Sequence, residues 1–328
     1  MIYTESMHSE TYPMTPWPAL ADKARSLPLK GTDTLFYYDS AGSADTSGKP
    51  APASTVPKPM FAAPAIILVH GLGDEADSWR HLIPHLNRAG CRTLALDLPG
   101  FGRSAAHGRI NLKRHAEAVC RLMEETGVAS AAKPAILVGN SMGGAVVQEA
   151  AAKKPDLVKA LALIDGGLPL AVKADRGTVT GALPILGPRW YRALRKDHAG
   201  AYRSLFDFYG DFEKLPQPDR EFLRERVIAR VESSAQERAY FGSRRSTIWA
   251  SMTKTGVFSR RLTAFPGRIL IIWGERDLLF PPAVADPLRS LRPDAAFQVI
   301  PGAGHLPHQE KPEETAEALL RFIAAFSV

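Results

Sequence analysis

Ala135-Ile-Leu-Val-Gly-Asn-Ser-Met-Gly-Gly144 is the stretch on which the fold turns. Its first four residues are apolar, two of them β-branched, and read as a short buried strand. The residues after it, Ala145-Val-Val-Gln-Glu-Ala-Ala-Ala-Lys153 and Lys154, read as helix. A Gly-x-Ser-x-Gly between a strand and a helix is a sharp turn that exposes the serine hydroxyl. The small residues on either side let strand and helix approach closely. A helix N-terminus beside the serine favours an oxyanion there. Ser141 is the candidate nucleophile, the alternative being a tight structural turn with an idle serine.

The same strand-then-turn grammar recurs outward from this point. Ile66-Ile-Leu-Val69 ends in His-Gly-Leu-Gly-Asp, and Thr93-Leu-Ala-Leu-Asp97 ends in Leu-Pro-Gly-Phe-Gly. Leu161-Ala-Leu-Ile164 ends in Asp-Gly-Gly, Ile269-Leu-Ile-Ile-Trp273 in Gly-Glu-Arg-Asp, and Phe297-Gln-Val-Ile300 in Pro-Gly-Ala-Gly-His. Helical patterns separate them at 78–88, 112–125, 144–154 and up to about Leu291, and 315–326 closes the chain. Short apolar strands alternating with helices predict a mostly parallel sheet covered on both faces, an α/β class. Ligands of such sheets gather at the carboxyl ends of the strands, where the Gly, Asp, His and Asn residues fall.

Two intervals depart from this rhythm. Residues 1–64 hold a polar, Pro-rich start, a first hairpin over Ser26 to Tyr38, and an Ala/Pro/Ser/Gly-rich loop from Gly42 to Pro64. Between Leu168 and Phe265 only helical and aromatic segments occur, which predicts several helices inserted between consecutive strands as a lid. The expected division is therefore a 1–64 segment, a core of 65–167 plus 266–328, and a helical cap at 168–265.

A serine hydroxyl needs a base, and the base needs an acid to hold it. For this architecture the chain order is nucleophile, acid, base. Three histidines follow Ser141. His198 reads as a solvated lid residue and His308 as a loop residue near a helix start, whereas His305 ends Gly302-Ala-Gly-His after the last strand. For the acid, Asp277 lies in Trp273-Gly-Glu-Arg-Asp277 after the penultimate strand, with Glu275 and Asp165 as competitors. The oxyanion needs two backbone N–H groups. Met142, after the nucleophile, supplies one, and Leu72 in His70-Gly-Leu-Gly73 is expected to supply the other. His70 itself precedes the serine and is expected to stabilise its loop.

Five motifs now stand in one order: His70-Gly-Leu-Gly73, Asp97-Leu-Pro-Gly-Phe-Gly-Arg-Ser104, Gly139-Asn-Ser-Met-Gly-Gly144, Gly274-Glu-Arg-Asp277 and Gly302-Ala-Gly-His305. With them the chain resembles the α/β-hydrolase superfamily over roughly residues 60 to 328. The resemblance implies the α/β-hydrolase fold with an inserted helical cap, and a hydrolase that needs no cofactor. A serine at the turn departs from the family's dehalogenases and epoxide hydrolases, which place aspartate there. Gly-Asn-Ser-Met-Gly-Gly is similar to the turn of the meta-cleavage carbon–carbon bond hydrolases. Those relatives usually extend the oxyanion loop with Gly-Pro-Gly, where this chain has Gly73-Asp-Glu. The ending His305-Leu-Pro-His-Gln-Glu-Lys-Pro312 looks more like the family's esterases, so cleavage of a carboxylic ester is the expected reaction. Carbon–carbon hydrolysis and a ligand-sensing receptor on the same fold are the alternatives.

The rest of the composition bounds partners. His81 and His85 lack the glutamate of a zinc-protease helix, and Pro84 disturbs their turn, so no metal site is expected. No Gly-x-Gly-x-x-Gly or phosphate loop is present, so nucleotide binding has no support. Two cysteines and no apolar run near membrane-spanning length fit a reducing, cytoplasmic setting without membrane contact. Of 41 Lys+Arg and 34 Asp+Glu, 18 and 10 fall between Leu168 and Phe265, so the core is nearly neutral and the lid carries the excess. That argues against nucleic acid as a partner. It predicts either a basic pocket entrance that steers an acidic ester, or arginines on solvated helix faces. Oligomeric state leaves no trace in the sequence.

Overall fold

The computed structural model describes residues 14–41, 63–170 and 186–325. The expected Pro-rich loop lies almost wholly outside these residues. Eight strands form one sheet: β1 Ala24–Pro28, β2 Thr34–Asp39, β3 Ile66–Val69, β4 Thr93–Leu96, β5 Ala135–Asn140, β6 Val158–Ile164, β7 Arg268–Gly274 and β8 Ala296–Ile300. Their order is β1-β2-β4-β3-β5-β6-β7-β8. The first hairpin pairs antiparallel and joins β4 antiparallel, and every later pairing is parallel. This is the α/β-hydrolase fold.

Side-chain alternation along the buried strands explains why both faces are covered. Ile67 and Val69 of β3 join one apolar cluster while Ile66 and Leu68 join the other. On β5, Leu137 faces the first cluster, and Ile136 and Val138 the second. All of these side chains are fully buried. Helices α2 Leu112–Glu125 and α3 Met142–Lys153 cover the first face, and α1 Leu82–Arg88 lies on the other. Asn111 starts α2 by accepting the Arg114 amide in its side chain at 3.0 Å, which satisfies one orphan N–H of the first turn.

Between β6 and β7 the described residues are helical: α4 Leu186–Ala193, α5 His198–Arg203, α6 Gln217–Glu232, α7 Ser234–Thr253 and α8 Thr255–Ala264. Their aromatic residues make two small cores of their own, one around Tyr191 and Phe241, the other around Tyr209 and Phe212. After β7 come α9 Asp286–Leu291, α10 Pro307–Glu310 and α11 Pro312–Ala324, the last beginning three residues before the sequence pattern suggests. Its Ala316, Leu319 and Ile323 return to the second face of the sheet. No described helix is long and apolar enough to cross a membrane.

Candidate active site

Ser141 sits between β5 and α3 at φ 53, ψ −121, a left-handed backbone that a non-glycine residue occupies only where its surroundings enforce it. The enforcement is steric and comes from two sides. A Cβ on Gly139 would lie 2.3 Å from the Gly143 carbonyl oxygen, and one on Gly143 equally close to that of Val69. Across the turn, the Ser141 amide donates to the Ile164 carbonyl at 2.9 Å, and the Gly167 amide donates to the Ser141 carbonyl at 3.3 Å. The end of β6 thus clamps the turn that β5 and α3 create.

His305 and Asp277 meet as the sequence places them, Nδ1 donating to Oδ2 at 2.7 Å, and both are nearly buried. The other oxygen of Asp277 accepts the Leu279 and Phe280 amides at 2.8 and 2.9 Å, so the carboxylate cannot swing away. With Nδ1 occupied, Nε2 is the ring nitrogen left for Ser141, and both residues line one cavity of about 210 Å³. The His305 amide donates to the Phe208 carbonyl at 2.8 Å, while Glu310 accepts Gly304 and Gly210 amides, each at 2.8 Å. Through Glu310 and Phe208 the loop that carries His305 is fastened to the segment between α5 and α6. Burial raises the Glu310 pKa, and the amides it accepts oppose that rise.

The competing residues take other places. Glu275 is exposed and accepts the Gly302 amide at 2.8 Å. His198 is exposed beside Glu232, as expected for a lid residue. His308 departs from its expected loop role. It is fully buried within α10, its Nε2 bonded to Ser78 Oγ at 2.8 Å and its ring against Trp79, and burial pulls its pKa down to about 3. His70 accepts the Leu98 amide on Nε2 at 2.8 Å, which leaves Nδ1 as the donor to the Gly71 carbonyl at 2.7 Å. It braces its own loop. Asp165 lies beside Asp277: one ligand atom from each of Asp165, Asp277 and His305 falls within 4.8 Å of the others. These are metal-ligand types, yet Nδ1 and both Asp277 oxygens already serve the hydrogen bonds above.

The two amides expected to hold an oxyanion stand open. Among the described residues no protein acceptor takes the N–H of Leu72 or Met142. Residues 71–74 line the cavity with Ser141, and a Cβ on Gly71 would lie 3.1 Å from that of Ser141. What holds this loop escaped the sequence reading. Asp97 accepts the Ala76 amide at 2.6 Å and that of Arg103 at 2.7 Å. Arg230 of α6 pairs with Asp74 at 3.0 Å and Glu75 at 3.4 Å, and Arg226 with Glu75 at 3.2 Å and Asp77 at 3.3 Å. Burial alone raises the Asp74 pKa, but Arg230 takes it below the ordinary carboxylate value. Glu75 is raised, because its burial outweighs both arginines. The acidic run 74–77 directly after a glycine loop was the available signal, without any hint of its partners.

The rest of the cavity wall is largely apolar, with Trp190, Leu194, Leu205, Phe208, Val227 and Tyr240 among its residues. A larger groove of about 870 Å³ shares none of these residues. It holds Arg109, Arg238, Arg245 and Lys254 together with Trp249, and neither Ser141 nor His305 reaches it.

A profile of the family described as "alpha/beta hydrolase fold" matches residues 64–312. The chain belongs to this alpha/beta hydrolase family. An sn-1-specific diacylglycerol lipase of Mus musculus is 25% identical over 80% of this chain and 81% of its own length. A 2-hydroxy-6-oxononadienedioate/2-hydroxy-6-oxononatrienedioate hydrolase of Pseudomonas sp. is 26% identical over 79% of this chain and 87% of its own. Among solved structures, wild-type Cfl2 from Burkholderia cenocepacia superposes with a TM-score of 0.71 at 20% identity, covering 92% of this chain and 95% of that one. This likeness carries the fold of the alpha/beta hydrolase.

Proposed function

We propose that this alpha/beta hydrolase cleaves a carboxylic ester through an acyl-enzyme on Ser141. The observation that carries the proposal is the buried 2.7 Å hydrogen bond from His305 Nδ1 to Asp277, in the cavity that Ser141 lines at a positive φ. His305 Nε2 takes the Ser141 proton as Oγ attacks the carbonyl carbon, and Asp277 stabilises the imidazolium that results. The Leu72 and Met142 amides receive the oxyanion, each such donor being worth roughly 10²–10³ in kcat. His305 then returns the proton to the departing alcohol, and a water activated by the same nitrogen releases the acid. The helices between β6 and β7 act as the cap, keeping water from the acyl group with apolar walls.

A cavity of about 210 Å³ favours a short acyl chain. Incubation with a p-nitrophenyl acetate or butyrate is expected to release p-nitrophenol, and an organophosphate to leave its adduct on Ser141 by mass spectrometry. Absence of the adduct refutes the reading. Basic residues of the cap are proposed to draw an acidic ester toward the entrance. In that case kcat/KM for a carboxylated ester falls more steeply with salt than for its neutral analogue.

Carbon–carbon bond hydrolysis is the second reading, favoured by the likeness to the Pseudomonas hydrolase and by Gly-Asn-Ser-Met-Gly-Gly at the turn. Against it stands Gly73-Asp-Glu, whose acids are engaged by α6. A vinylogous 1,5-diketone offered beside the esters separates the two.

A further inference from the structure

Asp165 directly follows β6 at φ 46 and is completely buried. Its Oδ1 accepts the Gly274 amide at 2.8 Å, but Oδ2 is buried with no donor to satisfy it. An orphaned buried carboxylate oxygen carries the full cost of desolvation. Asp277 is its neighbour and differs in kind, since three donors already serve the Asp277 oxygens. Two carboxyl groups this close and this dry do not both ionise. The acid with one donor against three is the one that keeps the proton.

The groups that face Asp165 agree. They are Asp277 and His305 from the loops after β7 and β8, and Glu310 from α10. Burial first, and the Asp277 charge second, hold the Asp165 carboxyl well above the usual range. Protonated, Oδ2 becomes a donor, and Asp277 is the carboxylate beside it that can accept.

We propose that Asp165 is a positioning residue: a neutral carboxylic acid that donates its O–H to Asp277, and a second acid able to orient His305 when Asp277 is removed. The takeover rests on the triad reading above, while the protonation of Asp165 does not. Its balance is simple. Without the Asp277 charge, Asp165 gives its proton to water, and the resulting carboxylate accepts Nδ1–H of His305 after closing a gap of at most about 2 Å to hydrogen-bond distance.

Two measurements test this. In the first, carboxyl carbons of uniformly 13C-labelled wild-type protein are titrated by NMR, with Asp165→Asn identifying the Asp165 signal. The expected Asp165 shift at pH 7 is that of the protonated acid, and an ionised signal at pH 7 overturns the proposal whatever the enzyme hydrolyses. The second compares kcat/KM for p-nitrophenyl acetate from pH 5 to 10. Asp165→Leu is expected to lose about tenfold, and Asp165→Asn, which keeps an N–H donor, to recover most of that. Asp277→Ala should fall about 10²-fold, less than the roughly 10⁴-fold that loss of a sole orienting acid produces. Its residual rate should climb with pH as Asp165 ionises. Asp165→Asn/Asp277→Ala should lose at least a further tenfold and that climb. Equal rates and pH profiles for the single and double Asp277 variants overturn the takeover. Ser141→Ala run in parallel reports on the ester reading separately.

Discussion

Gly166→Ala tests whether the turn after β6 sets the position of Ser141. A Cβ built on Gly166 falls 2.2 Å from the Ser141 carbonyl oxygen and 2.4 Å from its Cα. Ordinary contact begins at 3.4 Å, so the two backbones must part by about 1.2 Å. Nothing soft is available to yield, because every clashing atom belongs to the Ser141 main chain. Parting also stretches the hydrogen bonds that cross the gap, Ser141 to Ile164 at 2.9 Å and Gly167 to Ser141 at 3.3 Å. Overpacking of this kind costs about 1–3 kcal/mol. A nucleophile misplaced by about 1 Å loses about 10²-fold in rate.

The variant is therefore expected to fold, to melt several degrees lower, and to hydrolyse p-nitrophenyl acetate with kcat reduced about 100-fold and KM little changed. Gly256→Ala is the control: it lies in the first turn of α8, where the nearest atom to a new Cβ is the Arg260 Nη1 at 3.6 Å. It should be as active as wild type and equally or more stable, since alanine is the better helix former. A Gly166→Ala protein within threefold of wild-type kcat and unchanged in Tm would mean that the strain at Ser141 is held from α3 alone.

Three further outcomes follow from the contacts around the site. Glu310→Ala strands the Gly304 and Gly210 amides and should cost about 2–4 kcal/mol by chemical denaturation, with a fall in kcat as the His305 loop loosens; unchanged stability contradicts the bracing role. Arg230→Met leaves Glu75 with Arg226 and takes from Asp74 its arginine, so about 3–5 kcal/mol should disappear, and a stabilised variant would show that the pair is not needed. His115 and His308 are buried with pKa values of about 3, below the 6.5 of an unfolded histidine. Their contribution is complete above pH 6.5 and is lost as pH falls toward 3. Acidification from pH 6.5 to 5 should then cost about 3 kcal/mol, each group approaching about 1.4 kcal/mol per unit as pH falls below 6.5, and a flat Tm over that range contradicts their burial as neutral rings.

What the sequence disclosed was what depends on neighbours in the chain. The strand before Ser141, the helix after it and the glycines between are contiguous, and their sterics alone require the turn. The choice of Asp277 over Asp165 or Glu275 was open at that level, because all three follow strands. Only the hydrogen bonds distinguish them: Asp277 is presented to His305 by two amides of its own loop, Glu275 points to Gly302, and Asp165 is turned to Gly274. His308 was misjudged for a related reason. Its partners, Ser78 and Trp79, lie about 230 residues earlier, and no local pattern marks a histidine for such burial.

The charge of the segment between β6 and β7 changes meaning most once the chain is folded. Summed along the sequence, 18 basic residues against 10 acidic between Leu168 and Phe265 look like an exposed surface of one sign. Folded, Arg226 and Arg230 point inward and meet Asp74, Glu75 and Asp77, so part of the excess between β6 and β7 is the counter-charge of the loop after β3. Gly73-Asp-Glu, where meta-cleavage relatives usually extend with Gly-Pro-Gly, and the arginines of α6 are therefore two halves of one device. Neither half is sensible alone: buried acids beside an oxyanion site oppose the charge that must form there, and buried arginines without them lack a partner. Paired, they cancel and leave no net charge beside the Leu72 and Met142 amides, the proposed oxyanion donors. The ion pairs fasten α6 to the loop that follows β3. Exchanging Asp74 and Arg230 should accordingly preserve more activity than either single change, because it keeps the pair while reversing its sense.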